Sequence, residues 1–403
     1  MEKLAFISTG YFPIPPLSGG AVENLVYSLI IENEKHHRYD FTVYSCDADG
    51  IDSAIEKTNY TKYVIIKTPH ILEQLDLLIY YFFNNIIKKE KSMSYRYLLK
   101  RLWFEYKVAK DLKEKDFNRI IVENTPASFL PFRLYKNEKK YDGKIIYHMH
   151  NEVGNTFRCD KIIQNVSLVI GVSEFVNKKF ADKFKEFHGN YVVLKNCITE
   201  IKKTEKQYNV REKYGIKSNE FLILYAGRLS SEKGVYELIE AVQKATIPNV
   251  QLMIVGATYY GSNVVSSYEK KLKDAAQPLK NKITFTGYIP RSEMGEFYRE
   301  ADVAVFPAMW DEPAGLTIIE AMYEGTAVIT TDSGGIPEYV DQSCAIVLHR
   351  DDRIVENIEQ ALNELWKLPQ KREQYALAGK RNVKKFSKEE YYHSFVEIME
   401  KYK

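Results

Sequence analysis

The chain has 403 residues, 45% hydrophobic and 28% charged, with 20 glycines and 13 prolines. At roughly 100–200 residues per domain that suits two or three globular domains, and it excludes collagen-like, disordered and disulfide-stapled chains. The 57 basic residues exceed the 54 acidic ones by three, too small a surplus to make nucleic acid the main partner. Thirty tyrosines and 20 phenylalanines are compatible with stacking sites, a membrane-facing surface, or a base composition that also favours lysine.

Strand-like runs alternate with helical stretches, the pattern of βαβ units and parallel sheets. In the first half the runs cover 4–9, 41–46, 63–68, 120–123, 144–150, 168–173 and 191–194. In the second they cover 221–226, 251–255, 283–286, 303–306, 327–331 and 345–348. The polar segment 199–207 is the expected linker. The last helical stretch, 388–402, follows every strand, so it must pack onto something already built and is expected to cross back to the first domain.

Cys46, Cys159, Cys197 and Cys344 form no C-x-x-C pair and read as buried free thiols of a reducing compartment. The amino terminus runs straight into a strand-like segment too short for a signal peptide. A notable uncharged apolar stretch, 77–87, is about half of the roughly 20 residues a membrane-spanning helix needs. The expected location is cytoplasmic.

No two glycines are separated by a single residue, so G-x-G-x-x-G is absent; G-x-x-x-x-G-K-[ST], H-E-x-x-H and G-x-S-x-G are absent too. Asp47-Ala48-Asp49 is a D-x-D triplet that holds a divalent metal in some enzymes of nucleotide sugars. Gly50 after it favours a plain turn.

Four segments remain. In Phe306 through Met322 a strand ends, Pro313 stands where a helix can begin, and 316–323 has helical character. Eight helical steps from Glu312 to Glu320 rise at most about 12 Å, the scale of a nucleotide diphosphate sugar. One carboxylate could then hold each end, with the amides of Gly315, Leu316 and Thr317 on the diphosphate. Taken singly, a capping Glu312 and a solvent-facing Glu320 explain the residues as well. Gly227 through Gly234 is a glycine turn carrying Arg228 and Lys233, either fixed cations for a departing diphosphate or a solvated basic loop. Gly19-Gly20 with Glu23 permits close backbone approach to a phosphate or sugar, though Glu23 also simply favours a helix dipole. His148-Met149-His150-Asn151 ends a strand on the side where such folds bind ligands.

In this order the four segments resemble the retaining glycosyltransferases of family 4. The resemblance rests on G-G-x-x-E, a strand-end histidine, G-R-x-x-x-x-K-G, and E-x7-E followed by Gly334-Gly335-Ile336-Pro337-Glu338. It implies an α/β GT-B fold of two facing Rossmann-like domains with parallel sheets. These are 1–198 for the acceptor and 199–386 for the nucleotide-sugar donor, with 387–403 a helix on the first. Arg228 and Lys233 would grip the diphosphate, Glu312 the donor sugar and Glu320 the ribose. Gly315, Leu316 and Thr317 would offer amides, and Gly19 and Gly20 would lie against the phosphates from the facing domain. His150 would be the cleft histidine, with His148 in reserve.

The implied reaction transfers a hexosyl group, with retention, from a UDP-sugar to an acceptor hydroxyl, with no metal and no further cofactor. The acceptor would be a glycan, lipid-linked or glycoprotein, in bacterial cell-surface or spore-coat polymer synthesis. Rivals are an epimerase or phosphorylase of the same fold, or a silent subunit of a transferase. Two departures stand out: Asn196-Cys197-Ile198-Thr199 replaces Asn-Gly-Val-Asp, and Ala314 replaces a frequent phenylalanine, leaving more room near the sugar. Residues 72–104 are aromatic and basic, fit either to meet the inner face of a membrane or to form ordinary helices packed on the first sheet or lining an acceptor groove.

Overall fold

The computed structural model describes residues 1–17, 19–87, 96–198, 209–258 and 266–403. The expected linker 199–207, Ser18, and residues 88–95 of the basic-aromatic stretch lie outside them. The chain forms two compact units, Met1–Lys195 with Lys388–Lys403, and Asn196–Ser387.

The first unit holds a seven-stranded sheet of β1 (Glu2–Ile7), β2 (Tyr39–Cys46), β3 (Lys62–Ile66), β4 (Arg119–Glu123), β5 (Ile145–Met149), β6 (Leu168–Gly171) and β7 (Asn190–Val193). Their order is β3-β2-β1-β4-β5-β6-β7, and every pair is parallel. Strands of such a sheet are covered on both faces, which is why β4 and β5 are buried at every position. β1 starts and stops two residues before the expected run 4–9. Thr9 is in the following loop, where its hydroxyl donates to Glu23. The helix Lys388–Lys401 packs on this unit: Phe395 lies against the rings of Phe6, Tyr39 and Phe41, Tyr392 donates to Asn33 at 2.8 Å, and Arg119 donates to the Met399 carbonyl at 2.6 Å.

The second unit holds β8 (Phe221–Ala226), β9 (Val250–Val255), β10 (Ile283–Gly287), β11 (Val303–Phe306), β12 (Ala327–Thr331) and β13 (Ile346–Leu348). They are ordered β10-β9-β8-β11-β12-β13 and are again all parallel. Its core packs the helices Val235–Lys244 and Ile354–Lys367 onto β8, β9 and β11 through Leu238, Ile239, Leu252, Val305, Ile358 and Leu362.

Each sheet has a switch point, where strand order reverses and adjacent loops leave in opposite directions. It lies between β1 and β4 in the first unit and between β8 and β11 in the second. Ligands of open α/β sheets bind in the crevice this opens at the strands' carboxyl ends. All four cysteines are buried and free. Among the described residues no helix is long and apolar enough to cross a membrane.

Candidate active site

In the second unit the β8 and β11 loops are locked together. Gly234 has φ +69°, and a Cβ there would lie 1.9 Å from the Pro307 carbonyl oxygen; only glycine allows this approach. Met309 N–H donates to the Glu232 carbonyl at 2.8 Å. The contact brings Lys233 onto Glu312, 79 residues away, in an ion pair. Glu312 also accepts from the Trp310 indole at 2.8 Å, and Lys233 lies 5.2 Å from that ring's centre.

Glu312 is fixed from behind by the Gly334-Gly335 turn. Gly335 N–H donates to its carbonyl at 2.7 Å, and a Cβ on Gly334, at φ +60°, would come within 2.5 Å of the same oxygen. Of the two glycines, Gly334 is therefore the one that nothing larger replaces. Pro313 does not open a helix. Gly315, at φ 84°, breaks the segment and caps the helix Leu316–Glu324, so Glu312 sits on a loop and only the stretch to Glu320 is helical. That helix has no acid in its first turn, leaving its free amide end uncompensated. Ala314 is buried.

A cavity of about 460 Å³ lies at the carboxyl ends of β8 and β9, with Gly227, Arg228, Gly256, Tyr288, Arg291, Thr317 and Glu320 among its lining. That is a size suited to a small-molecule ligand. Three predicted residues, Arg228, Thr317 and Glu320, thus share one cavity. Arg228 is 58% exposed and 3.6 Å from Glu232, so its charge is reachable. Glu320 accepts from Arg291 at 2.6 Å and lies 3.5 Å from the Tyr298 hydroxyl. Arg291 and Tyr288 carry no motif; the signal that could have found them was the Gly287-Tyr288-Ile289-Pro290 turn closing a strand.

In the first unit Gly19 and Gly20 have φ 109° and 93°, ahead of the helix Ala21–His36. Glu23 is 2% exposed, which rules out a solvated dipole acid. It accepts from Thr9 at 2.7 Å, and burial, against that hydrogen bond, raises its pKa. Register puts Glu123 of β4 beside His148 of β5, and the two-residue period of a strand places His150 on the same face. Both imidazoles reach Glu123, His148 Nδ1 at 3.1 Å and His150 Nε2 at 3.1 Å, and all three residues are buried. Burial pushes the Glu123 carboxyl up, yet the histidines, His148 foremost, outweigh it and hold the group well below the usual carboxylate range. These donor atoms lie within 4.8 Å of one another and form a set able to hold a metal ion, a cluster the sequence reading missed because Glu123 ends an ordinary apolar strand. Asp47-Ala48-Asp49-Gly50 is a turn, with Ile51 N–H donating to the Ala48 carbonyl. A 590 Å³ cavity lined by His36, Arg38 and Tyr392 lies at the amino ends of β1 and β2, the end opposite to ligand binding in this architecture.

Residues 206–382 match the family of glycosyl transferases group 1. The chain is 28% identical over 353 residues to a putative glycosyltransferase, YtcC, of Bacillus subtilis, covering 84% of this chain and 77% of that protein. It is 25% identical over 355 residues to a lipopolysaccharide 1,2-N-acetylglucosaminetransferase of Salmonella typhimurium, covering 84% and 83%. The fold is shared with Anabaena Alr3699/HepE, solved in complex with UDP and glucose, at TM-score 0.70 and 18% identity over the whole of both chains. The architecture is therefore α/β of the GT-B type, two Rossmann-like parallel-sheet domains, and with the match over residues 206–382 it supports a glycosyltransferase.

Proposed function

We propose that the protein is a retaining glycosyltransferase of family 4 that moves a hexosyl group from a UDP-sugar to an acceptor hydroxyl in bacterial surface glycan synthesis. The observation that carries the reading is the cavity joining Arg228, Thr317 and Glu320 at the carboxyl ends of β8 and β9. In this reading Glu320 takes the ribose diol, with Arg291 as its present partner. The amides of Gly315, Leu316 and Thr317 and the cations Arg228 and Lys233 take the diphosphate. Glu312, freed from Lys233 as the phosphates arrive, takes the sugar hydroxyls. Gly19 and Gly20 serve as further phosphate contacts.

The departing diphosphate gains negative charge, and fixed cations stabilise it more in the transition state than in the bound donor. With attack on the face the leaving group departs from, a phosphate oxygen receives the acceptor proton, and no dedicated base is required. His150 is held in one orientation by Glu123 and serves the transferred sugar. Arg228 and Lys233 neutralise the charge without a metal. The first unit receives the acceptor. The kinship with a UDP-and-glucose-binding fold and with a lipopolysaccharide transferase supports the donor class and the surface glycan.

A panel of nucleotide sugars, read by release of free nucleotide diphosphate with and without EDTA, tests this. UDP release that needs an acceptor and survives EDTA is expected. Conversion without acceptor would instead identify an epimerase, and loss of activity in EDTA would give the Glu123, His148 and His150 cluster a metal role.

The helices His70–Tyr81 and Leu98–Glu114 expose Ile71, Leu75, Leu78, Tyr81, Leu98 and Leu102. This supports peripheral binding at the inner face of a membrane through 72–104. Co-flotation with anionic liposomes at low salt is expected, and its absence removes the membrane contact.

A further inference from the structure

We propose that the switch-point crevice of the first sheet is an anion-selective acceptor subsite, in which the guanidinium of Arg101, framed by the rings of Tyr11 and Phe157, receives an acidic group carried on a pyranose. The word acceptor rests on the transferase reading; the binding itself does not.

Tyr11 follows β1 and Thr125 follows β4, so the two residues form opposite lips of the crevice. Arg101, from the helix Leu98–Glu114, donates one hydrogen bond to each lip, Nη1 to the Tyr11 hydroxyl and Nη2 to the Thr125 hydroxyl. Its guanidinium carbon is 4.7 Å from the centre of the Tyr11 ring and 5.7 Å from that of Phe157, within cation–π range. The two rings are 47% and 41% exposed, so each keeps an apolar surface open for the C–H face of a sugar.

The loop that presents Phe157 is built rather than slack. Phe157 and Arg158 both have left-handed backbones, at φ 52° and 61°, a conformation uncommon outside glycine and one that gathers at ligand sites. The turn is held by Phe157 N–H donating to Asn155 Oδ1 at 2.9 Å and by Arg133 donating to the Phe157 carbonyl at 3.3 Å.

Among the described residues the Arg101 guanidinium forms no ion pair. Both its hydrogen-bond partners are neutral hydroxyls. The carboxyl one turn along the helix, Glu105, is buried against Ser128 at 3.2 Å, and burial, opposed by Arg101, pushes it up to about 8. Arg133 adds a second cation at the same loop. The crevice also adjoins the histidine pair, since Asn124, next to Thr125, accepts from the His150 N–H at 3.1 Å. An acidic sugar seated on Arg101 would be bound beside the residue assigned to the transferred sugar. Its acid could be the carboxylate of a uronic unit or the phosphate of a carrier-linked sugar.

The test uses the full chain without donor, titrated by calorimetry with methyl α-D-glucuronide, α-D-glucose 1-phosphate and the neutral methyl α-D-glucoside. At least one acidic sugar is expected to bind about ten-fold tighter than the neutral one, and the stronger of the two identifies the source of the acid. Arg101→Gln should bring the preferred sugar to within about two-fold of the neutral glucoside, Arg101→Lys should retain part of the preference, and Phe157→Ala should weaken all three. Equal binding of acidic and neutral sugars, or a preference that survives in Arg101→Gln, overturns the subsite. Because no turnover is read, that failure is separate from a failure of the donor panel.

Discussion

The two sheets repeat one strand order around their switch points, yet the carboxyls around the two crevices are held in different ways. In the first unit the carboxyls around the crevice are closed off from water, Glu23 on Thr9, Glu123 on two histidines and Glu105 on Ser128. In the second they stand in partly exposed ion pairs, with Arg228 and Arg291, which line the cavity, 58% and 31% exposed and Lys233, on the same loop as Arg228, 22% exposed. A buried network fixes shape and loses heavily when one member is removed. A partly exposed pair is worth little by itself and can exchange its partner for a ligand at small cost. The same scaffold thus provides one crevice whose carboxyls are preset and one whose ion pairs can exchange partners.

The comparison breaks most visibly at Lys233. If the second crevice supplies the charge that stabilises the leaving diphosphate, Lys233→Ala cuts turnover by about 10² or more, read as release of free nucleotide diphosphate. Near wild-type turnover would leave the Lys233–Glu312 pair a mere strut between two loops. A smaller effect sharpens the division within the cavity. If Glu320 holds the ribose, a part of the donor that does not react, Glu320→Ala should raise the donor KM by about ten-fold with kcat little changed. A fall in kcat alone would move Glu320 from binding to chemistry.

How much of this was legible follows from what each feature depends on. Each of the thirteen expected strand runs overlaps an observed strand, because parallel strands covered on both faces are short continuous apolar runs. Their ends were less legible: Thr9 extends the β1 pattern, but its hydroxyl is engaged by Glu23. Arg228, Thr317 and Glu320 were legible as residues at strand ends and a helix start. The Lys233–Glu312 pair was not, since it depends on a backbone approach at Gly234 that brings together loops 79 residues apart. Glu123 was hidden for the same reason. It becomes a partner of His148 only through the pairing of β4 with β5, and that register also explains why two histidines competed for one role: both face the same carboxylate.

The preset character of the first crevice has its most delicate test at Glu105, whose second carboxyl oxygen is buried with no hydrogen-bond partner. Burial raises this carboxyl from about 4.5 to about 8, with Arg101 and Ser128 opposing. Below about 4.5 the group is protonated in folded and unfolded chains alike and contributes no pH dependence. Between 4.5 and 8 the unfolded chain ionises while the folded one does not, so stability falls as pH rises through that window. Glu105→Gln keeps the shape and removes the ionisation. Its melting temperature should therefore match wild type near pH 5 and exceed it by roughly 2 °C or more at pH 8. A difference that does not grow with pH would mean that Glu105 is ionised in the folded chain. The Arg101 charge would then be answered from within the protein, and the first crevice would lose the feature that selects for an acidic sugar.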